Sequence, residues 1–159
     1  MRTPLIAGLL SACALASAAD VSDPLQGHRW KHRVLIAFAD DERAPQAREL
    51  SASLSAAACE LEDRDMVIGW ILSDGRSRVG DIAVSGEVAG VLRSGLAIQT
   101  GEFAVLLIGK DGGVKARYDV APPLADVFAL IDGMPMRRSE MRARGLPCVE
   151  EGDGLVGRE

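Results

Sequence analysis

The sequence predicts an α/β fold, a three-layer sandwich with a mixed sheet of about four strands and helices on both faces. Three observations carry this reading. Residues 34–39 and 66–72 are continuous apolar runs, the pattern of strands covered on both faces. Apolar residues recur at helical spacing between them. Residues 103–118 then read as strand, tight turn, strand, and a helical stretch follows.

The elements follow in chain order. Residues 19–32 form a polar lead-in with Pro24 and Gly27, and 34–39 (VLIAFA) form the first strand. Asp40 and Asp41 are expected to cap the next helix, and Glu42 suits its positive end. Ala47, Leu50, Leu54, Ala57 and Ala58 mark that helix's buried stripe over 45–58. Residues 66–72 (MVIGWIL) form the second strand, and 74–81 a charged loop. Val88, Val91, Leu92 and Leu96 predict a second helix, weakened by Gly90 and Gly95.

The third strand is 103–108. Lys110-Asp111-Gly112-Gly113 is hairpin chemistry, because Asp-Gly and Gly-Gly steps tolerate positive φ. Val114, Ala116 and Tyr118 alternate with Lys115 and Arg117, as on an edge strand with one wet face. Pro122-Pro123 opens a helix with Leu124, Val127, Phe128 and Ile131 facing inward, and Gly133 and Pro135 break it. Residues 136–144 are helical again, with Glu140 and Arg144 paired one turn apart. Strands joined through helices are expected to run parallel, and the hairpin to add an antiparallel edge.

A chain of 159 residues, 48% hydrophobic, suits one domain with a single core. Aromatic residues make up only 4%, so that core is aliphatic. The net charge of −5 argues against nucleic acid and anionic membrane surfaces as partners. Arg2, the apolar run 5–15 and Ala16-Ser17-Ala18 have the anatomy of a secretory signal, residues 1–18, too short to span a bilayer. The expected location is the periplasm or the exterior of a bacterial envelope. Leu10-Ser11-Ala12-Cys13 offers the alternative of a lipoprotein anchored at Cys13. No later segment is long and apolar enough to span a membrane. Removal of Cys13 leaves Cys59 and Cys148, and an even count in an exported chain suggests one disulfide; two separate buried thiols are the other reading. The tail, 149–159, is acidic and Gly-rich and is expected to fray.

Four blocks carry a family resemblance: 30–38 (WKHRVLIAF), Asp63-Arg64-Asp65, 107–115 (LIGKDGGVK) and 131–137 (IDGMPMR). Together they resemble the domain-of-unknown-function family 4174, which has a thioredoxin-like fold and also occurs in secreted animal matrix proteins. The match covers about 25–142, within an expected domain of 25–144. The family brings no catalytic residues. Working thioredoxins place Cys-x-x-Cys after the first of these strands, where the helix end lowers the thiol pKa. Residues 39–43 read Ala-Asp-Asp-Glu-Arg, without sulfur, and Thr100-Gly101-Glu102 stands where a thioredoxin has its cis-proline. In that topology the helices near 45–58 and 123–143 share a face and a direction. This brings Cys59 and Cys148 to the same end of the sheet and makes a bridge reasonable.

Other candidate sites are weaker. Lys110 with Arg137 and Arg138 would form a small basic spot for an acidic partner or carboxylate. His28 and His32 lack an evident third metal ligand, and Met134, Met136 and Met141 read as flexible filler rather than a copper site. No metal or cofactor is therefore assigned. The reading is an exported, non-catalytic thioredoxin-like module for an unidentified protein or small ligand. The alternative is a thiol–disulfide oxidoreductase or peroxide-handling protein using Cys59 or Cys148.

Overall fold

The computed structural model describes residues 23–144. The expected signal, Cys13, Cys148 and the acidic tail lie outside them. After a 3-10 turn at Gln26–His28 come β1 (Arg33–Ala39), α1 (Pro45–Ala56), α2 (Ala58–Asp63) and β2 (Met66–Leu72). Next are β3 (Arg78–Val79), β4 (Ile82–Ala83), α3 (Gly86–Gly95), β5 (Ala104–Ile108) and β6 (Val114–Tyr118). The chain closes with α4 (Leu124–Asp132) and α5 (Pro135–Arg144).

The six strands lie in the order β4-β3-β2-β1-β5-β6. All of β1 is buried, as an unbroken apolar run in the middle of a sheet requires. Its alternate residues feed two cores. Leu35, Ala37 and Ala39 pack with Leu50 and Leu54 of α1, Leu61 of α2 and Val127 and Ile131 of α4. Val34, Ile36 and Phe38 pack with Ala89 and Leu92 of α3. Helices therefore cover both faces.

Four local expectations are corrected. The sheet has six strands, because the charged loop folds into the two-residue strands β3 and β4. That hairpin also changes a direction. β1 and β2 are parallel, but β5 runs antiparallel to β1. The hairpin leaves the chain level with the middle of β2, where Gly69 and Trp70 pair with β3. From there α3 climbs to the far end of the sheet. Arg93 in its last turn donates to the carbonyls of Ala39 and Ile71, at the ends of β1 and β2. The next strand must enter from that end.

Third, neither Asp40 nor Asp41 caps α1. Its N-cap is Ala44, followed by Pro45, which has no N–H to satisfy. Asp41 instead accepts from the backbone N–H of Arg43. Fourth, the predicted 45–58 helix breaks at Ala57 into α1 and α2. The β5–β6 turn is as expected. Gly112 has φ +83°, and Gly109 accepts from its N–H at 2.9 Å. Among the described residues no helix is long and apolar enough to cross a membrane.

Candidate functional site

The four sequence blocks meet at one end of the sheet, where β1 and β2 begin. Arg33 opens β1, Asp63-Arg64-Asp65 leads into β2, Lys110 follows β5, and Asp132 and Arg137 flank the α4–α5 junction. Glu140 and Arg144 join them from α5. The result is a lattice of five cations and four carboxylates.

Its links are short. Arg33 donates from Nη1 to Glu140 Oε2 at 3.0 Å and to the Arg64 carbonyl at 2.8 Å. Lys110 Nζ bridges Asp65 and Glu140, each at 2.7 Å. Arg137 pairs with Asp63 and, through Nε, with Asp132 at 3.0 Å. Arg64 holds Asp132 at 2.6 Å and lies over the Phe128 ring. Arg144 holds Asp65 at 2.7 Å.

Helix α5 explains the arrangement. Residues 137, 140 and 144 fall on one helical face, and Arg137 is the helix's one buried residue. Where most helices dock through apolar side chains, this one docks through charge. Glu140 pairs with Arg33 and Lys110 rather than with Arg144, correcting the expected one-turn pair. The sheet offers the helix two buried cations there, and the neighbouring turn offers Asp65 to Arg144.

The lattice sets its own protonation. Burial pushes the Glu140 carboxyl up, but hydrogen bonds from Arg33 and Lys110 outweigh it and hold the group below the usual glutamate range. Asp65 is held low the same way by Lys110 and Arg144, and Asp132 by Arg64 and Arg137. Burial alone would lower Arg137, but Asp63 and Asp132 more than offset it.

Lys110 and Arg137 both stand in the lattice, each buried and paired with its own two carboxylates. Arg138 is exposed on the outer side of α5. The sequence reading placed Arg33 and Asp65 in family blocks and paired Glu140 with Arg144, but gave none of the three a part in the site. The available signal was the 137-140-144 spacing in a helix without an apolar stripe.

A cavity of about 220 Å³ adjoins the lattice, between the β5–β6 turn and the start of α5. Arg33, Lys110, Lys115, Met134 and Met136 line it. Cations around both methionines disfavour a copper ion there. His28 and His32 face each other through Nδ1 at 3.3 Å. No group of three or more His, Cys, Asp or Glu among the described residues is placed to hold a metal.

The opposite end of the sheet is where thioredoxins carry their cysteines. Here Asp40 takes a hydrogen bond from Ser73, and Glu42 pairs with Arg78 at 2.7 Å. Arg93 lies over the Phe38 ring and donates to the Ala39 and Ile71 carbonyls. Cys59 lies half-buried in α2, on the segment that descends to the lattice end.

This fold is thioredoxin-like, and the end of the sheet where β1 and β2 begin carries an ionic lattice. The chain belongs to the family described as domain of unknown function (DUF4174), whose pattern it matches over residues 24–140. It is similar to the coiled-coil domain-containing protein 80 of Danio rerio, 28% identical over 152 residues. That match covers 84% of this chain but only 18% of the fish protein's length. Among solved structures it is similar to the reduced 2-Cys peroxiredoxin of Plasmodium vivax. The TM-score is 0.54 at 13% identity, over 72% of this chain and 84% of the other. Thioredoxin peroxidase I of Plasmodium yoelii gives a TM-score of 0.51 at 18% identity, over 84% and 86%. At such identities the likeness concerns the fold alone.

Proposed function

We propose that this chain is an exported, non-catalytic thioredoxin-like module that binds a protein or small ligand. The observation that carries the proposal is the segment from Ala39 to Arg43. At the strand end where this fold does thiol chemistry it presents Asp40, Asp41 and Glu42, which would repel a thiolate. The signal-like residues 1–18 support export to the periplasm or beyond.

The cysteines fit a structural role. Arg144 donates to the Asp63 carbonyl at 3.2 Å, which anchors α5 beside the end of α2. Cys148 follows Arg144 by four residues, and Cys59 precedes Asp63 by four, so the chain can span the gap. A low-strain bridge between them would add about 2–4 kcal/mol of stability. Thiol titration of the mature protein under denaturant tests this, and two free thiols exclude the bridge.

Insulin reduction and peroxide consumption test the main reading. Wild type and a Cys59→Ser/Cys148→Ser double variant should show the same background rates. Sulfur-dependent turnover would instead establish the oxidoreductase or peroxide-handling alternative. Sequencing the mature N-terminus from an envelope fraction should find Ala19; a lipidated Cys13 would replace soluble export with an anchor.

A further inference from the structure

The geometry points to the cavity beside the lattice as a binding site for a carboxylate on a short aliphatic body. This deepens the small-ligand reading above and rests on it. The central observation is Arg33. It is 1% exposed, yet its Nε–H meets no acceptor among the described residues. Its other nitrogens are committed to Glu140 and the Arg64 carbonyl. A buried charged donor left open has given up water without replacement, and such groups are uncommon in folded proteins. The nitrogen is sealed from the cavity as the side chain stands, so a carboxylate there would complete it once the Arg33 guanidinium turns toward the ligand.

Charge agrees. Arg33, Lys110 and Lys115 line the cavity, against one carboxylate, Asp111. The carboxylates that neutralise Arg33 and Lys110 are Glu140 and Asp65, and neither is among the lining residues. The pairs of Arg33 and Lys110 thus turn their positive ends to the cavity, an orientation that favours an anion over a neutral group inside. Lys115 is tied only to Asp111, in a partly exposed pair of the kind that contributes little, so its ammonium can turn to a ligand at small cost. Gly109 permits this arrangement. A Cβ there would stand 2.5 Å from Lys115 Cε and 2.7 Å from Asp111 Oδ1.

The rest of the wall is apolar. Met134 and Met136 are soft enough to shape themselves around an alkyl group. Hydrated dianions such as phosphate gain nothing from such a wall. At about 220 Å³ the cavity is smaller than a typical drug-sized pocket, which suits an acid of about six carbons. A free acid and the terminal carboxylate of a peptide share this chemistry.

The test is NMR of the mature protein with labelled methionine methyls. It is titrated with hexanoate, an acetylated dipeptide ending in leucine, hexanol and inorganic phosphate. Met134 and Met136 should shift with the two carboxylates while Met141 stays still. Hexanoate should bind at least about tenfold tighter than hexanol or phosphate. Tighter binding of the dipeptide would identify the source as a chain end; tighter hexanoate, a free acid. Lys115→Met and Met136→Glu both alter exposed positions, so the fold is retained, and each should weaken hexanoate severalfold. Still methyls at millimolar hexanoate, equal binding of hexanol, or unchanged affinity in both variants would overturn the proposal. The thiol assay is independent. Failed carboxylate binding leaves the non-catalytic reading standing, and sulfur-dependent turnover leaves the cavity result untouched.

Discussion

The buried guanidinium of Arg33 grips Glu140 through two hydrogen bonds, at 3.0 and 3.3 Å, across 107 residues of sequence. This fork ties the first residue of the central strand to the last helix. It does for α5 what an apolar stripe does for α1 and α4. Buried ion pairs add little net stability, because desolvation offsets attraction, yet losing one partner strands the other.

Glu140→Gln should therefore destabilise the domain by about 2–4 kcal/mol, since both Arg33 and Lys110 lose their counter-charge. The paired change Arg33→Met/Glu140→Leu should recover most of that loss. Urea denaturation of the three proteins measures both effects. A single variant as stable as wild type would mean that the fork is ornamental.

Acid should unfold the domain through the same lattice. The folded-state pKa values of Glu140, Asp65 and Asp132 lie below their ordinary values of 4.5, 3.8 and 3.8. The unfolded chain thus takes up protons first as pH falls. This contribution is complete above the ordinary values and is lost progressively as pH drops through them toward the folded ones. The urea midpoint should be level near pH 6–7 as far as these carboxylates act, then fall steeply below about pH 4.5. A midpoint flat down to pH 3 would contradict the assignment.

A separate, weaker slope should come from His28. Burial, with the neighbouring His32 and Lys31, lowers its pKa from 6.5. The folded state prefers the neutral ring, so its contribution is full above 6.5 and declines as pH falls through that value. His28→Gln should flatten the midpoint between pH 5 and 7 and leave the acid limb unchanged. NMR titration showing an undepressed His28 would remove the cause.

Gly112→Ala should cost about 1–2 kcal/mol, because φ is +83° there and an L side chain resists that conformation. The new Cβ would also stand 3.0 Å from Arg29 Nε, on a side chain that donates to the Asp111 carbonyl. The loss should show as a lower thermal midpoint, and Gly27→Ala, with open space around it, serves as the control.

Most of the elements were legible in the sequence because their signals are local. The runs at 66–72 and 114–118 match β2 and β6 residue for residue, and the Asp-Gly-Gly turn sits where its chemistry placed it. Sequence also told which end of the fold lacks sulfur, since Asp40 to Arg43 follows directly on β1. β3 and β4 were hidden because two residues each leave no periodicity to read. The direction of β5 was missed for the same reason, being set by that hairpin.

Sequence alone therefore determined the layers, the aliphatic core and the family, all written in apolar spacing and short turn motifs. Tertiary structure decided which charges meet. Coulombic partners carry no period along a chain, and Arg33, Asp65, Lys110 and Glu140 become neighbours only once the sheet and α5 have brought four distant segments to one end.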